Sequence, residues 1–203
     1  FGNFAQAFGS DVAFGYINGS HQCTPADEAK IDPQLKAFLK GPYYEWFNAN
    51  KTGDKMVYTH IEQSLERLRT HIATNGPYDG LLGFSQGGSL AHLYCLLAAS
   101  GKPGYVLPKF LVLISCRASR HFEHDSIVAA AKASKLPTPT LVFHCAKDDH
   151  VSTDETKNVV TTLGNCAEVF DAAGTSHRVP NLPPLHTAKV KEFLACVRRG
   201  DLA

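Results

Sequence analysis

One short segment, Gly83-Phe84-Ser85-Gln86-Gly87, places a serine between two glycines with the spacing G-x-S-x-G. A serine in this pattern acts as a nucleophile when a strand enters the motif and a helix leaves it. The glycines are needed because the serine then sits on a sharp, strained turn whose neighbours cannot carry bulky side chains. The pattern also arises by chance in chains of ordinary composition. The elements around Ser85 therefore decide between a nucleophile and a plain Gly-rich turn.

Two later segments contain the groups that would activate a serine hydroxyl, which needs a base and a carboxylate that orients the base. Asp148 and Asp149 follow one apolar segment, and His177 follows another in a loop that contains Gly174. The resulting order of serine, aspartate and histidine is the order found in enzymes with a G-x-S-x-G turn. Of the ten histidines, His177 alone combines this order with a Gly-containing loop. Either aspartate could instead turn the chain or cap the next helix.

Apolar segments and helical periodicity predict the elements that would position these residues. Apolar segments bounded by turn residues predict strands at 12–17, 80–84, 110–114, 140–143 and 167–170. Apolar residues at helical spacing predict helices at 57–72, 89–99, 127–133, 153–163 and 188–197. Ser152 and Glu155 form the pattern of a capping box in front of the fourth of these helices. Residues 20–54 show no clear periodicity, and we expect them to be irregular.

Strands that alternate with helices are typical of a parallel sheet covered by helices on both faces. The strand at 110–114 is apolar at every position, as a strand buried on both faces should be. In such sheets the chemistry lies beyond the carboxyl ends of the strands. Ser85, the two aspartates and His177 each follow a strand end, so we expect them to meet at one edge of a single α/β domain spanning residues 1–203.

The composition argues against several classes of protein. The formal net charge is +1, so no attraction to a nucleic acid is expected. No apolar segment approaches the roughly 20 residues of a membrane-spanning helix. Six cysteines without a C-x-x-C pair occur in a 203-residue chain that can build its own core. They predict free, mostly buried thiols and hence a cytoplasmic protein.

Two further groups of residues carry weaker signals. The segment 121–125 holds two histidines three residues apart with acidic neighbours. Zinc needs three or four placed ligands, so we predict no metal site there. Cys116 and Cys145 each follow a buried strand, but neither lies on a Gly-flanked turn. Packing is therefore the expected role of both thiols.

The segment 78–88, Tyr-Asp-Gly-Leu-Leu-Gly-Phe-Ser-Gln-Gly-Gly, resembles the nucleophile segment of the FSH-type serine hydrolases. This family of small α/β hydrolases includes yeast esterases and fungal polyketide-releasing thioesterases. The segments 75–77, 41–47, 144–151 and 174–180 resemble the family as well, so the resemblance covers nearly the whole chain.

The resemblance implies an α/β-hydrolase fold, a catalytic triad of Ser85, Asp148 and His177, ester or thioester substrates, and no metal or cofactor. It favours Asp148 over Asp149 because Val151 then lies three residues later, as in the D-x-x-V loops of such enzymes. Cys145 stands where related hydrolases often have glycine, which keeps Asp149 as the alternative.

The family normally begins with a strand and an H-G-x-x loop, which lends the oxyanion hole its second backbone N–H. Neither precedes Phe1, so we expect an N-terminally incomplete chain that starts inside the helix after that loop, with Phe1, Phe4 and Phe8 on one helix face. The backbone N–H of Gln86 is then the one expected oxyanion donor. Loss of one donor typically costs about 10²–10³-fold in rate.

The leading hypothesis is therefore a serine hydrolase acting on a small-molecule acyl ester or thioester. One alternative is a carrier-protein-specific thioesterase that releases acyl or polyketide chains. The other is a non-catalytic binding protein with the same fold. A fluorophosphonate probe separates the last from the enzymes, because only an activated serine reacts. Acyl-chain length and oligomeric state stay open at this level.

Overall fold

The computed structural model of the protein describes residues 2–10, 12–31, 33–38, 40–171, 174 and 176–201. The helices in these ranges are α1 (Gly2–Gln6), α2 (Pro25–Ala29), α3 (Pro33–Phe38), α4 (Ile61–Asn75), α5 (Gln86–Ala99), α6 (Asp125–Ser134), α7 (Thr153–Val160) and α8 (Pro184–Arg199). The strands are β1 (His21–Gln22), β2 (Tyr44–Glu45), β3 (Asn48–Thr52), β4 (Lys55–Thr59), β5 (Gly80–Phe84), β6 (Phe110–Ile114), β7 (Thr140–Cys145) and β8 (Cys166–Asp171).

The central sheet is parallel and contains β5, β6, β7 and β8 in that order. Each strand pairs with the next one along the chain, through a crossover that contains α5, α6 or α7. The carboxyl ends of all four strands therefore lie along one edge of the sheet. The chain leaves the sheet at that edge after Phe84, Ile114, Cys145 and Asp171.

Alternate side chains of β6 enter two different hydrophobic clusters. Leu111 and Leu113 pack with residues of α4, α5 and α6 on one face of the sheet. Val112 and Ile114 pack with residues of α1 and α8 on the other face. All four side chains are completely buried. Burial on both faces explains the unbroken apolar pattern, and the predicted α/β architecture is confirmed.

Residues 12–17 form no strand, so that prediction was wrong. Phe14 packs edge-on against Phe8 at 5.6 Å between ring centroids, whereas Tyr16 is 69% exposed. A strand needs a neighbour for its backbone N–H and C=O groups, and no described segment pairs with this one. Phe4 lies in α1 as expected, but the helix ends at Gln6, so Phe8 lies beyond it and not on the predicted helix face. Both side chains are buried against the sheet. Phe1 lies outside the described residues.

Residues 20–54 contain short elements instead of the irregular chain that we expected, and the first long helix begins later than predicted. Residues 48–52 and 55–59 pair as an antiparallel hairpin that turns at Gly53, where φ is +59°. Val57 lies in this hairpin, and α4 begins at Ile61. The helical spacing of Val57 with Ile61 was a coincidence, because a position four residues before a helix can equally belong to a strand.

The remaining elements were predicted correctly, with shifted ends. The helix after Ser85 begins directly at Gln86. The capping box is present: Glu155 N–H donates to Ser152 Oγ at 3.2 Å, and Ser152 N–H donates to the Glu155 carboxylate at 3.0 Å. All six cysteines are free, but only Cys95 and Cys116 are fully buried. Among the described residues, no helix has the length and apolar character to cross a membrane.

The buried side chain of His92 should make the fold sensitive to acid. His92 Nε2 lies 2.8 Å from Thr162 Oγ1, and that hydroxyl donates to the Val159 carbonyl at 2.6 Å. Thr162 therefore accepts the His92 Nε2–H, and the ring is neutral. Burial lowers the pKa of His92 to about 4, from 6.5 in the unfolded chain. Between these two pH values the unfolded chain binds one more proton, so stability falls as the pH falls, by about 1.4 kcal/mol per pH unit.

We therefore expect the free energy of unfolding to drop by about 2 kcal/mol through this residue between pH 7 and pH 5. Urea titrations at both pH values measure it. In His92→Phe the free energy of unfolding should fall by about 2 kcal/mol less than in the wild type over this pH interval. Equal pH dependence in His92→Phe and the wild type would contradict the assignment.

Candidate active site

Ser85 lies on the turn between β5 and α5, with φ of 54° and ψ of −120°. A positive φ in a non-glycine residue costs about 1–3 kcal/mol and persists only where the surroundings enforce it. Two backbone hydrogen bonds do so: Ser85 N–H donates to the Ile114 carbonyl at 2.9 Å, and Ser89 N–H donates to the Ser85 carbonyl at 3.0 Å. The first joins the turn to the neighbouring strand, and the second begins α5.

The glycines around Ser85 allow a close approach of backbone segments. A Cβ on Gly83 would lie 2.4 Å from the carbonyl oxygen of Gly87. A Cβ on Gly88 would lie 2.7 Å from the Cβ of Cys116. On Gly87, by contrast, it would lie 3.4 Å from the Trp46 indole nitrogen, which is ordinary contact. The motif correctly indicated Gly83, whereas the need for glycine at position 88 was missed.

Gly83→Ala should therefore be far more damaging to the fold than Gly87→Ala. The methyl group at position 83 meets backbone atoms, so the turn has to move, and we expect a loss of about 3 kcal/mol in the free energy of unfolding. At position 87 the substitution improves helix propensity, and we expect stability within about 1 kcal/mol of the wild type. Denaturant unfolding of the two variants measures the difference. Similar losses of unfolding free energy in the two variants would contradict this prediction, because they would show that the turn can move to accommodate a methyl group at position 83.

The structure brings Ser85, His177 and Asp148 into one hydrogen-bonded chain. His177 Nε2 lies 2.8 Å from Ser85 Oγ, and His177 Nδ1 lies 2.9 Å and 3.0 Å from the two carboxylate oxygens of Asp148. A carboxylate can only accept, so Nδ1 carries the ring proton. Nε2 is then free to accept the proton of the serine hydroxyl. This geometry can make Ser85 a nucleophile.

The aspartate that faces the imidazole is Asp148. Its carboxylate also accepts hydrogen bonds from the backbone N–H of Val151 at 2.7 Å and of His150 at 3.0 Å. Its side chain is 1% exposed. Burial alone would raise the pKa of Asp148, but the hydrogen bonds from His177, Val151 and His150 outweigh it and hold that pKa below its ordinary value. Asp149 instead accepts a hydrogen bond from the backbone N–H of His177, at 3.3 Å, through its Oδ1.

Two rings flank the imidazole of His177. Phe84 lies on one side at 4.7 Å between ring centroids, and His150 lies at 5.0 Å. The loop of His150 is held in turn, because the Arg117 guanidinium donates to the His150 carbonyl. Arg117 also pairs with Glu155 at 3.3 Å, at the capped start of α7. These contacts restrict the orientation of the ring toward Ser85.

The backbone of Gln86 begins α5, a helix of 14 residues with no acidic residue in its first turn. The first N–H groups of an α-helix have no intrahelical acceptor, and the helix dipole makes this end partly positive. Negative charge that develops on a carbonyl oxygen beside Ser85 would be stabilised there. The backbone N–H of Gln86 stays a predicted oxyanion donor. The role of its side chain, which hydrogen-bonds the chain at Trp46 and Phe47, was not predicted. Nothing in the sequence relates positions 40 residues apart.

The two histidines of the 121–125 segment face hydrogen-bonding groups of the protein itself. His121 Nδ1 faces the Met56 carbonyl at 3.2 Å, and His124 Nδ1 faces Ser119 Oγ at 2.8 Å. Burial lowers the pKa of His124 to about 4. In the part of the chain that the structure describes, no three His, Cys, Asp or Glu side chains are grouped to hold a metal ion.

Neither cysteine near the strand ends has the environment of a nucleophile. Burial raises the pKa of the Cys116 thiol to about 12, and burial also raises the pKa of Cys145. A nucleophilic cysteine needs a lowered pKa. Cys145 Sγ lies 3.7 Å from the Ser176 carbonyl, beside the loop that carries His177.

Comparison with known proteins places these features in a family. The sequence model of one family, described as serine hydrolase (FSH1), matches residues 1–188. Human Esterase OVCA2 is 47% identical over 133 residues, which are 64% of this chain and 56% of that protein. Hydrolase FUB4 of Fusarium oxysporum is 34% identical over 96 residues, which are 47% of this chain and 33% of that protein. The chain spans about half the length, or less, of the curated relatives it matches.

A solved structure shows the same fold at low sequence identity. The crystal structure of esterase PE8 superposes with a TM-score of 0.55 at 20% identity, over 89% of this chain and 76% of that chain. The predicted α/β-hydrolase fold is thereby confirmed.

Proposed function

This chain belongs to the serine hydrolase (FSH1) family, and on that premise we propose that it hydrolyses carboxylic esters or acyl thioesters through an acyl-enzyme on Ser85. The observation that carries the proposal is the continuous hydrogen-bonded chain from Asp148 through His177 to Ser85, with distances of 2.9 Å and 2.8 Å. A serine in a merely structural turn has no need of a base that is itself oriented by a buried carboxylate.

In the first half of the reaction, Ser85 Oγ attacks the substrate carbonyl carbon while His177 Nε2 takes the hydroxyl proton. The imidazolium that forms is stabilised by the Asp148 carboxylate, which stays ionised because its pKa lies below its ordinary value. The tetrahedral intermediate collapses when the bond to the alcohol or thiol breaks. His177 gives its proton to that leaving group, and the acyl group remains on Ser85.

In the second half, a water molecule replaces the leaving group. His177 Nε2 removes a proton from the water as it attacks the acyl carbon, and then returns that proton to Ser85 Oγ. The carboxylic acid departs, and the site is restored. The backbone N–H of Gln86 is the proposed donor to the negative oxygen of both tetrahedral intermediates. No step of this chemistry needs a metal ion or a cofactor.

The proposed substrates are small acyl esters or thioesters, and neither a nucleic acid nor a carrier protein is required by the mechanism. The cytoplasm is the proposed location, because six free cysteines are best maintained in a reducing compartment. The relatives are named as an esterase and a hydrolase, which fits ester cleavage without naming the acid or the alcohol.

Steady-state hydrolysis of matched ester and thioester substrates tests the proposal. p-Nitrophenyl esters and acyl thioesters of the same acyl groups, from two to ten carbons, should be cleaved by the wild-type protein, and His177→Gln should reduce turnover of every substrate. Turnover of neither class by the folded wild-type protein, with Ser85 also unreactive to a fluorophosphonate, would favour the non-catalytic alternative.

A further inference from the structure

The Gln86 side chain fastens the segment 46–47 to the turn that carries Ser85. Its Oε1 accepts a hydrogen bond from the Trp46 backbone N–H at 3.1 Å, and its Nε2 donates to the Phe47 carbonyl at 2.9 Å. A primary amide that pairs with one N–H and one C=O of a backbone segment fixes both the position and the direction of that segment. Gln86 directly follows Ser85, so the fixed segment lies beside the site.

Further contacts hold the same segment from its other side. Ser64 of α4 donates a hydrogen bond to the Trp46 carbonyl. Phe47 is 5% exposed and stacks on Tyr58 with ring centroids 4.5 Å apart. Both backbone groups of Trp46 and the side chain of Phe47 are therefore constrained. The Trp46 side chain is carried on a backbone with little freedom to move.

The Trp46 indole lies beside the first turn of α5. Its Nε1 is 3.4 Å from the position that a Cβ on Gly87 would occupy. The indole therefore lies within van der Waals contact of the backbone that follows Gln86. The side chain packs against the hydrophobic cluster on this face of the sheet but is only half-buried, so part of its large apolar surface is accessible.

The proposed reaction decides which part of a substrate would meet this surface. The leaving group must lie on the side of His177, because His177 Nε2 protonates it. The acyl group bonded to Ser85 then extends away from His177. Trp46 lies beside the first turn of α5, which holds the proposed donor to the oxygen of the acyl carbonyl, so it is close to the acyl group.

We propose that Trp46 is a wall of the acyl subsite and determines acyl-chain preference, and that the Gln86 side chain is the positioning residue that holds it. This inference rests on the proposed function. Its substrate class is esters or thioesters of extended apolar acids. An aromatic side chain gives large contact area with an alkyl chain at low entropic cost, whereas an acetyl group is too short to use that area.

The acyl-chain dependence of kcat/KM tests the specificity role. We expect Trp46→Ala to lower the ratio of decanoyl to acetyl ester hydrolysis by about 10–50-fold, with Trp46→Phe intermediate. Gln86→Leu removes both side-chain hydrogen bonds but keeps the backbone N–H, and it should lower the same ratio. Tyr44→Ala changes an exposed aromatic residue two positions away and should leave the ratio unchanged.

The tryptophan also supplies a direct signal, since the chain contains only one. Alkyl fluorophosphonates with short and long chains should each form an adduct on Ser85, seen by mass spectrometry. The long-chain adduct should shift Trp46 emission to the blue, and the short-chain adduct should shift it less. In Gln86→Leu the difference between the two adducts should shrink.

The outcomes separate this inference from the proposed function. If no adduct forms on Ser85 of the folded wild-type protein, the proposed function fails. If both adducts form but Trp46 emission does not distinguish them, and Trp46→Phe keeps the wild-type chain-length ratio, the acyl-wall inference is overturned while the proposed function stands. The wild-type fluorescence measurement remains decisive even if Trp46→Ala fails to fold.

Discussion

Ser85→Ala should reduce ester hydrolysis by about 10⁴–10⁶-fold, because it removes the nucleophile and leaves only the binding surface and the oxyanion donor. His177 and Asp148 keep their hydrogen bond to each other in this variant, so the rest of the site should be preserved. Initial rates with a p-nitrophenyl ester measure the loss. A variant that retains a tenth of wild-type activity would show that the nucleophile lies elsewhere.

Ser85→Gly supplies a matched control for the strain at this turn. Glycine adopts positive φ without the steric cost that serine carries at φ 54°. Relief of that cost should exceed the entropic penalty of glycine, and we expect Ser85→Gly to be about 1 kcal/mol more stable than the wild type while equally inactive as Ser85→Ala. Stability gained together with activity lost would identify the strain as a feature that serves function. A less stable glycine variant would contradict this account of the turn.

Asp148→Asn should lower kcat by about 10⁴-fold, because an amide cannot accept from His177 Nδ1 and from two backbone N–H groups as the carboxylate does. The amide NH₂ would face a donor, and the ring would favour the tautomer with its proton on Nε2. That tautomer cannot accept the proton of Ser85. Steady-state kinetics measure the loss, and circular dichroism checks that the fold is retained.

Asp149→Asn is the control for this prediction. Asparagine keeps an oxygen that can accept the 3.3 Å hydrogen bond from the His177 backbone, so we expect kcat within about 5-fold of the wild type. If Asp149→Asn were the severe change and Asp148→Asn the mild one, the orienting carboxylate would be the neighbouring residue.

The sequence carried enough information to locate the strand ends and the residues that follow them. An all-apolar strand such as β6 is recognisable because both its faces are buried, and the loops after such strands converge at one edge. That convergence explains why Ser85, Asp148 and His177 could be named together before any distance was known. The capping box at Ser152 could also be predicted from local residue types, because its two hydrogen bonds join residues only three positions apart.

Features that depend on distant parts of the chain could not be predicted in this way. The strand expected at 12–17 required a neighbouring strand, and an apolar segment bounded by turn residues does not show whether one is available. The hairpin that contains Val57 was not predicted, because Val57 has helical spacing with the apolar residues of the helix that follows. The pairing of Gln86 with the backbone at Trp46 and Phe47 cannot be inferred from the residue types of either segment. Gly88 needs to be glycine because Cys116 and the Gly83 carbonyl pack against it.

Acid quenching during turnover tests the central claim most directly, because it captures the covalent intermediate that the account requires. The protein is mixed with a p-nitrophenyl ester, quenched at steady state, and its intact mass and peptide map are measured. The account predicts one acyl group per chain on the peptide that contains Ser85, and none in Ser85→Ala. An acyl group on another residue, or one that persists in Ser85→Ala, would contradict it.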